Sequence, residues 1–120
     1  MDIHEVTCRN PVEAHWIWRE LQEGQYAPAG IRLWAGMRVV DVGAHIGLFT
    51  LWVAQQLGGD VAVLAAEPCA DSAALAQSNW KAHGIAVQCQ RVAVTERALA
   101  LALAESGTEN MHNLAVVCWL

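Results

Sequence analysis

Two acidic residues and a glycine turn form the part of this sequence that could do chemistry. Asp41, Gly43 and Gly47 join the end of one apolar run to a helical segment, and Glu67 ends the next apolar run, twenty positions after Gly47. In an open α/β sheet, ligands bind outside the carboxyl ends of the strands, so both acids would face one crevice. A carboxylate at the end of the second strand can accept hydrogen bonds from both hydroxyls of an adenosine ribose. The pattern therefore predicts a nucleoside-binding site.

The loop between the two glycines does not suit a phosphate. A dinucleotide fingerprint, G-x-G-x-x-G, needs a middle glycine so that the backbone can approach the pyrophosphate, and His45 occupies that position here. A P-loop is excluded because no G-x-x-x-x-G-K-S/T occurs and Lys81 is the only lysine. Asp41 would repel a phosphate but would attract an ammonium group. S-adenosylmethionine carries an ammonium group, a sulfonium and a ribose but no phosphate, so acids at both strand ends favour it as the cofactor.

The same residues resemble a known family. The stretch from Val39 to Leu51 is similar to the signature V-V-D-V-G-A-N-I-G-L-F/Y-T of the FkbM family of S-adenosylmethionine-dependent methyltransferases, and Glu67-Pro68 is similar to the family's E-P after the second strand. The resemblance covers about residues 10–94. It implies that Glu67 binds the ribose and that the glycine loop lines the methionine end of the cofactor. The residues implied at this site are Asp41, Gly43, Ala44, His45, Gly47, Glu67 and Pro68.

Two departures separate this chain from the family pattern. His45 replaces the family's asparagine, which bears on one polar contact and on the geometry of the loop. The family's later I-K-x-D-x-E-G stretch, which brings acids to the substrate side, is absent. No catalytic residue can therefore be carried over. Glu109 and His112 precede the final apolar run, and only their position suggests them as catalytic groups.

The elements that must position these residues follow a βαβαβ pattern from Met37 onward. Upstream, an N-cap residue (Asn10), a proline at the first helical position and a glutamate at the third predict a helix to about Glu23. Residues 25–36 predict a connector with at most a short strand at 31–34. The elements predicted after it are a strand at 38–42, a helix to about Leu57, a strand at 61–66, a helix capped by Asp71 or Ser72 that reaches Ala82, and a strand at about 85–92. This alternation implies right-handed crossovers and a parallel sheet.

The last quarter of the chain predicts two further strands. Alternating Leu and Ala favour a strand at 98–104, a loop follows at 106–110, and the apolar run 114–120 predicts another buried strand, where the chain stops. The predicted fold is therefore an α/β, class I methyltransferase-like (Rossmann-like) parallel sheet with flanking helices, incomplete at its C-terminus. We divide it into an N-terminal helix and connector at 1–36 and a truncated S-adenosylmethionine-binding core at 37–120. An unpaired sheet edge predicts self-association or docking onto a missing C-terminal half.

Composition excludes several classes of protein. A chain of 120 residues, 55% of them hydrophobic, forms one compact domain. A net charge of −5, with six scattered arginines and one lysine, offers no binding surface to a nucleic acid. The longest uncharged stretch, 42–59, is interrupted by glycines and polar residues, so no membrane span is predicted, and the lack of a secretory signal predicts a cytoplasmic protein. The cysteines and histidines have no metal-ligand spacing, so no metal site is predicted.

The sequence thus predicts an S-adenosylmethionine-dependent methyltransferase that acts on an oxygen of a small or carrier-bound metabolite. Three alternatives stay open: a non-catalytic or degenerate S-adenosylmethionine-binding fragment or subunit, a nicotinamide dinucleotide-binding protein, and an interaction module with a tryptophan-rich helix. Cys69 is predicted to start a helix rather than to act as a nucleophile. The tryptophans predicted to be core and interface anchors are Trp16, Trp18, Trp34, Trp52 and Trp80.

Overall fold

The fold alternates strands and helices along the part of the chain that the structure describes. This structure, a computed structural model, describes residues 3–23, 32–91, 97 and 114–118. A short 3-10 helix, Ile3–Glu5, precedes the first α-helix. The helices are α1 (Pro11–Gln22), α2 (Leu48–Gln56) and α3 (Ala70–Ala82), and the strands are β1 (Met37–Val42), β2 (Val61–Ala66), β3 (Val87–Gln90) and β4 (Leu114–Cys118).

The four described strands form one parallel sheet in the order β3-β2-β1-β4. Met37 of β1 lies beside Val61 of β2, and Arg38 of β1 lies beside Leu114 of β4. Most of β1 and β2 is buried, as expected of parallel strands that are covered on both faces. The order of the strands reverses at β1, because β2 lies on one side of it and β4 on the other. Such a reversal marks the ligand crevice of an open α/β sheet, so the crevice lies at the carboxyl end of β1.

Helix α1 begins where the sequence predicts. The Oδ1 of Asn10 accepts a hydrogen bond from the backbone N–H of Glu13 at 3.1 Å, and Pro11 occupies the first turn. One face of the helix packs against α2 and joins the main hydrophobic core. The side chains that this face buries are Ala14, Trp18 and Leu21.

Helix α2 follows the loop at the end of β1 and is buried along most of its length. A helix that is apolar on nearly all sides belongs in a protein interior, and here it lies between the sheet and α1. No helix in the described ranges is long and apolar enough to cross a membrane.

The start of α3 corrects one prediction. Its N-cap is Cys69, and Asp71 and Ser72 lie in the first turn instead of capping the helix. The N–H of Cys69 donates to the carboxylate of Glu67, two residues earlier, at 2.8 Å, and this local hydrogen bond fixes the turn before the helix. Cys69 therefore starts a helix, as predicted, and the helix ends at Ala82, also as predicted.

Two predicted strands differ from the structure. Strand β3 begins at Val87 rather than at residue 85, because the N–H of Ile85 donates to the carbonyl of Trp80 at 2.9 Å and closes the end of α3. Residues 32–34 form no strand, since the N–H of Met37 donates to the carbonyl of Trp34 at 3.2 Å in a tight turn. The predicted strand at 98–104, the loop at 106–110, Glu109, His112 and the last two residues lie outside the described residues.

The tryptophans divide between core and surface. Trp18 and Trp80 are buried, and Trp52 is half-buried. Trp16 lies on the outer face of α1 and is 59% exposed, so it is not a core residue, and its role as an interface anchor stays a prediction. Trp34 is also exposed, at 37%.

Candidate functional site

The loop from Gly43 to Gly47 connects β1 to α2 at the carboxyl edge of the sheet. Gly43 has a φ of 76°, in the left-handed region that favours glycine. Its N–H donates to the carbonyl of Ala66 at 2.8 Å, and the N–H of Ala44 donates to the same carbonyl at 3.1 Å. Because Ala66 is the last residue of β2, these two bonds fasten the loop to the neighbouring strand.

His45 also has a left-handed conformation, with a φ of 55°, and it is alone in this among the described residues other than glycine. Asparagine and histidine are among the few non-glycine residues that adopt this region readily. The replacement of the family's asparagine by His45 is therefore compatible with the loop's backbone. The Nε2 of His45 lies 3.9 Å from Oε1 of Glu13 on α1, with both side chains partly exposed.

Glu67 joins the loop to the start of α3. The residue is only 7% exposed, and each of its carboxylate oxygens accepts one backbone hydrogen bond. Oε1 accepts from the N–H of His45 at 2.8 Å, and Oε2 accepts from the N–H of Cys69 at 2.8 Å. A carboxylate has about four acceptor positions, so each oxygen retains capacity for a further donor. Glu67 is thus held rigidly at the end of β2 and can still accept hydrogen bonds from a ligand.

Asp41 lies within β1 and is completely buried. Its Oδ2 accepts a hydrogen bond from the hydroxyl of Thr50 on α2 at 2.9 Å. The carboxylate is therefore packed beneath the loop rather than open to solvent at the crevice. Direct contact between Asp41 and an ammonium group stays a prediction.

Gly47 ends the loop in a position that no other residue suits. Its φ is 88°, and its carbonyl accepts a hydrogen bond from the indole Nε1 of Trp80 at 3.0 Å. A Cβ at this position would lie 2.5 Å from Nε1 and 2.7 Å from Cε2 of the same ring. The sequence placed Trp80 in the core but did not indicate that its ring supports the loop.

Asn79 is a second support that sequence reasoning missed. The residue is 1% exposed, and its Nδ2 donates to the carbonyl of Ile46 in the loop at 2.9 Å. The signal that could have found it is its position on α3, because Ala73 and Ala76 share the buried face of the helix and Trp80 follows directly. A polar side chain on a core-facing surface needs hydrogen-bond partners, so Asn79 had to bond to something.

The chain before α1 lies against the same loop. A cavity of about 140 Å³ is lined by residues 8–10, Glu13 and Ala14 on one side and by His45 and Ile46 on the other. Arg9 reaches the first turn of α3, where its Nη2 donates to the hydroxyl of Ser72 at 2.8 Å. The N-terminal part of the chain therefore forms one wall beside the candidate site.

Pro68 and Cys69 follow Glu67 and lead into α3, and both are exposed. The backbone N–H of Ser72, followed by its hydroxyl, lowers the pKa of the Cys69 thiol. Burial raises the pKa of the Cys89 thiol on β3. In the part of the chain that the structure describes, no group of three or more histidine, cysteine, aspartate or glutamate residues could hold a metal ion.

Two solved structures resemble this chain in fold. One is coclaurine N-methyltransferase bound to N-methylheliamine and SAH, with a TM-score of 0.52 and 19% identity over 63% of this chain and 22% of that one. The other is an S-adenosylmethionine-dependent methyltransferase from Aquifex aeolicus, with a TM-score of 0.52 and 19% identity over 62% of this chain and 41% of that one. This chain therefore has the predicted class I methyltransferase-like α/β fold and spans less than half the length of either structure.

The sequence comparisons give no family. No protein-family model matches this chain, and no curated protein matches it. The resemblance to the FkbM family therefore stays a prediction, whereas the likeness to methyltransferases of the class I fold is shown by the structure.

Proposed function

We propose that this chain binds S-adenosylmethionine at the carboxyl edge of its sheet and forms the cofactor-binding part of a methyltransferase. The observation that carries the proposal is Glu67, a buried carboxylate that two backbone N–H groups hold at the end of β2, directly beside a left-handed glycine loop. The fold likeness to two methyltransferases supports it, because Glu67 directly follows the second strand of this chain, at the sheet edge where open α/β folds bind ligands.

The hydrogen bonding of the loop favours a ligand without phosphate. Backbone N–H groups that cradle a phosphate must be free to donate to it. Here four N–H groups of the loop already donate within the chain, at Gly43, Ala44, His45 and Gly47. The acceptor for the central one is the Glu67 carboxylate, whose negative charge would also repel a phosphate. A dinucleotide would have to break this network to seat its pyrophosphate on the loop, a demand that a nucleoside without phosphate does not make.

The residues present fit the parts of S-adenosylmethionine. Glu67 retains acceptor positions for the ribose hydroxyls, and Asp41 is the acidic residue that the family resemblance assigns to the methionine end. Gly43, Ala44, His45 and Gly47 would line the methionine end, with Pro68 beside the ribose. When bound, the cofactor supplies a sulfonium-activated methyl group. The chain's own contribution is to hold the cofactor in one orientation, which is how most of the rate enhancement of an activated donor can arise.

We further propose that the methyl acceptor is an oxygen of a small or carrier-bound metabolite, which the FkbM resemblance implies. A hydroxyl acceptor needs a base to take its proton, and no described residue is assigned to that role. A chain that binds the cofactor without methylating any acceptor is the second candidate. The rigid Glu67 site supports binding under both candidates.

Calorimetric titration tests the cofactor assignment. We expect the chain to bind S-adenosylhomocysteine in the micromolar range and NAD much more weakly. Glu67→Gln keeps the shape of the side chain but removes its charge, and should weaken binding by about 1.5–3 kcal/mol, the range of a hydrogen bond to a charged group. The matched control is Glu20→Gln on α1, far from the loop in sequence and not part of the hydrogen-bond network described above.

Three results would contradict parts of the proposal. Tighter binding of NAD than of S-adenosylhomocysteine would replace the cofactor assignment with the nicotinamide alternative. Equal affinity in Glu67→Gln and Glu20→Gln would remove Glu67 from the site. Cofactor binding without S-adenosylhomocysteine release, tested against a panel of hydroxylated acceptors, would favour the non-catalytic candidate.

A further inference from the structure

One buried amide joins three separate parts of the chain. The Nδ2 of Asn79 on α3 donates to the carbonyl of Thr7 at 3.0 Å and to the carbonyl of Ile46 at 2.9 Å. Its Oδ1 accepts a hydrogen bond from the N–H of Thr7 at 2.7 Å. Residues 7–10, which we call the N-terminal segment, are thereby linked to the loop from Gly43 to Gly47 through a single side chain.

The burial of Asn79 makes these contacts interdependent. Asn79 is 1% exposed with the N-terminal segment in place, so its amide depends on protein partners, and an unsatisfied buried polar group is costly. If the N-terminal segment leaves, the amide loses two of its three hydrogen bonds and its orientation is no longer fixed. The carbonyl of Ile46, which depends on the same Nδ2 group, then loses a well-oriented donor.

Two further observations place the N-terminal segment against the site. Arg9 donates from Nη2 to the hydroxyl of Ser72 at 2.8 Å, in the first turn of the helix that follows Glu67. The cavity of about 140 Å³ has this segment and the start of α1 on one side and the loop residues His45 and Ile46 on the other. The segment thus contacts the start of α3 directly and faces the loop across this cavity.

We propose that Asn79 is a positioning residue that couples docking of the N-terminal segment to the conformation of the loop from Gly43 to Gly47. The loop's affinity for its cofactor then depends on the segment being docked. Coupling of two binding events is reciprocal, so a ligand on the loop must also hold the segment in place. The coupling in the free protein stands on the hydrogen bonds alone, and its effect on affinity rests on the proposed function.

A matched pair of substitutions at Thr7, the exposed residue that follows the buried Val6, tests the coupling. Thr7 is exposed and bonds to Asn79 through its backbone only. Thr7→Ala retains the N–H group, whereas Thr7→Pro removes it. A third variant, Asn79→Asp, has nearly the same shape as the native residue but replaces the donating amide nitrogen with an oxygen.

Hydrogen exchange measured by NMR is the first readout, with the N–H groups of His45 and Gly47 as reporters for the loop. In the free protein, we expect both to exchange about tenfold faster in Thr7→Pro and Asn79→Asp than in Thr7→Ala, which corresponds to the loss of one or two neutral hydrogen bonds. Amides in the centre of β1 should keep their exchange rates in Thr7→Pro. That contrast separates a local effect on the loop from a general loss of stability.

The second readout is the ligand. In the parent chain, saturating S-adenosylhomocysteine should slow exchange of the Thr7 N–H, and Thr7→Pro should raise the dissociation constant about five- to tenfold relative to Thr7→Ala, within the usual range of coupling between sites. A merely structural role for Asn79 would alter the melting temperature but not the ligand-dependent protection of Thr7.

The outcomes are distinguishable. Equal loop exchange in Thr7→Pro and Thr7→Ala overturns the coupling, even if Asn79→Asp fails to fold. Faster loop exchange with unchanged affinity for S-adenosylhomocysteine overturns the dependence of affinity on the segment. If the parent chain does not bind S-adenosylhomocysteine, the proposed function fails, and exchange in the free protein alone decides the coupling.

Discussion

Replacement of Gly47 by alanine should be among the most damaging single-methyl changes in this chain. Gly47 has a φ of 88°, and an added Cβ would lie 2.5 Å from the indole Nε1 of Trp80. The ring cannot easily move away, because it is buried and its Nε1 donates to the carbonyl of Gly47 itself. The methyl group therefore meets both a backbone penalty and a fixed aromatic ring.

The loss of stability expected for Gly47→Ala can be divided into these two parts by comparison with a second glycine. The left-handed conformation costs a non-glycine residue about 1–2 kcal/mol. Forcing an extra carbon into a packed core adds a cost of about 1–3 kcal/mol. Gly84 has a φ of 70°, and a Cβ there would meet nothing within 4 Å. Gly84→Ala thus isolates the backbone penalty, and Gly47→Ala should exceed it by about 1–3 kcal/mol.

Urea unfolding followed by tryptophan fluorescence measures both free energies. A double-mutant cycle with Trp80→Phe then tests the cause, since the smaller ring removes the atoms nearest to the added Cβ. In the Trp80→Phe background, Gly47→Ala should cost only about what Gly84→Ala costs. If Gly47→Ala is no more destabilising than Gly84→Ala in the parent chain, the ring is not fixed against the loop and the reasoning is refuted.

Three further outcomes follow from contacts at the same edge of the sheet. Thr50→Val should lower the free energy of unfolding by about 2 kcal/mol, measured in urea. Valine has nearly the same shape as threonine but lacks the hydroxyl that donates to the buried carboxyl group of Asp41. An unchanged free energy of unfolding would mean that this bond is dispensable. His45→Asn should leave the free energy of unfolding nearly unchanged, whereas His45→Val should lower it by about 1–2 kcal/mol, because asparagine tolerates a φ of 55° and valine does not. Equal stability of the two variants would contradict the left-handed conformation. The lowered pKa of Cys69 and the raised pKa of Cys89 mean that Cys69 holds more thiolate at a given pH. Iodoacetamide should therefore alkylate Cys69 before Cys89, as measured by mass spectrometry. Preferential labelling of Cys89 would contradict this order.

The strands and the glycine turn could be predicted because local sequence determines them. The β-branched run before Gly43 and the apolar run before Glu67 correspond to β1 and β2. The start of α1 at Asn10 is predicted by four consecutive residues, 10–13. The start of α3 could not be predicted in this way. Its cap depends on the orientation of the Glu67 side chain, which accepts from the N–H of Cys69 two residues later and also from the N–H of His45, which lies twenty-two positions earlier on another loop.

The same division holds for the candidate site. The spacing of Asp41, Gly43 and Glu67 indicates a ligand crevice, because strand ends in a parallel sheet share one edge. The residues of α3 that support the loop could not be predicted from spacing. Asn79 and Trp80 bond to carbonyls more than thirty positions earlier, and only the packing of α3 beneath the loop brings them into contact. The sequence predicts Trp80 as an anchor of the core, but not which backbone atoms Trp80 and Asn79 meet.

The strand order also has a consequence for how the chain folds. Met37 pairs with Val61 after one helical crossover, whereas Arg38 pairs with Leu114, which lies far later in the chain. Closing a longer loop costs more entropy and delays native pairing. We expect β1, β2 and the helix between them to assemble early and β4 to dock late, so the edge of β1 that meets β4 is the part of the sheet most exposed to mispairing while the chain is being synthesised.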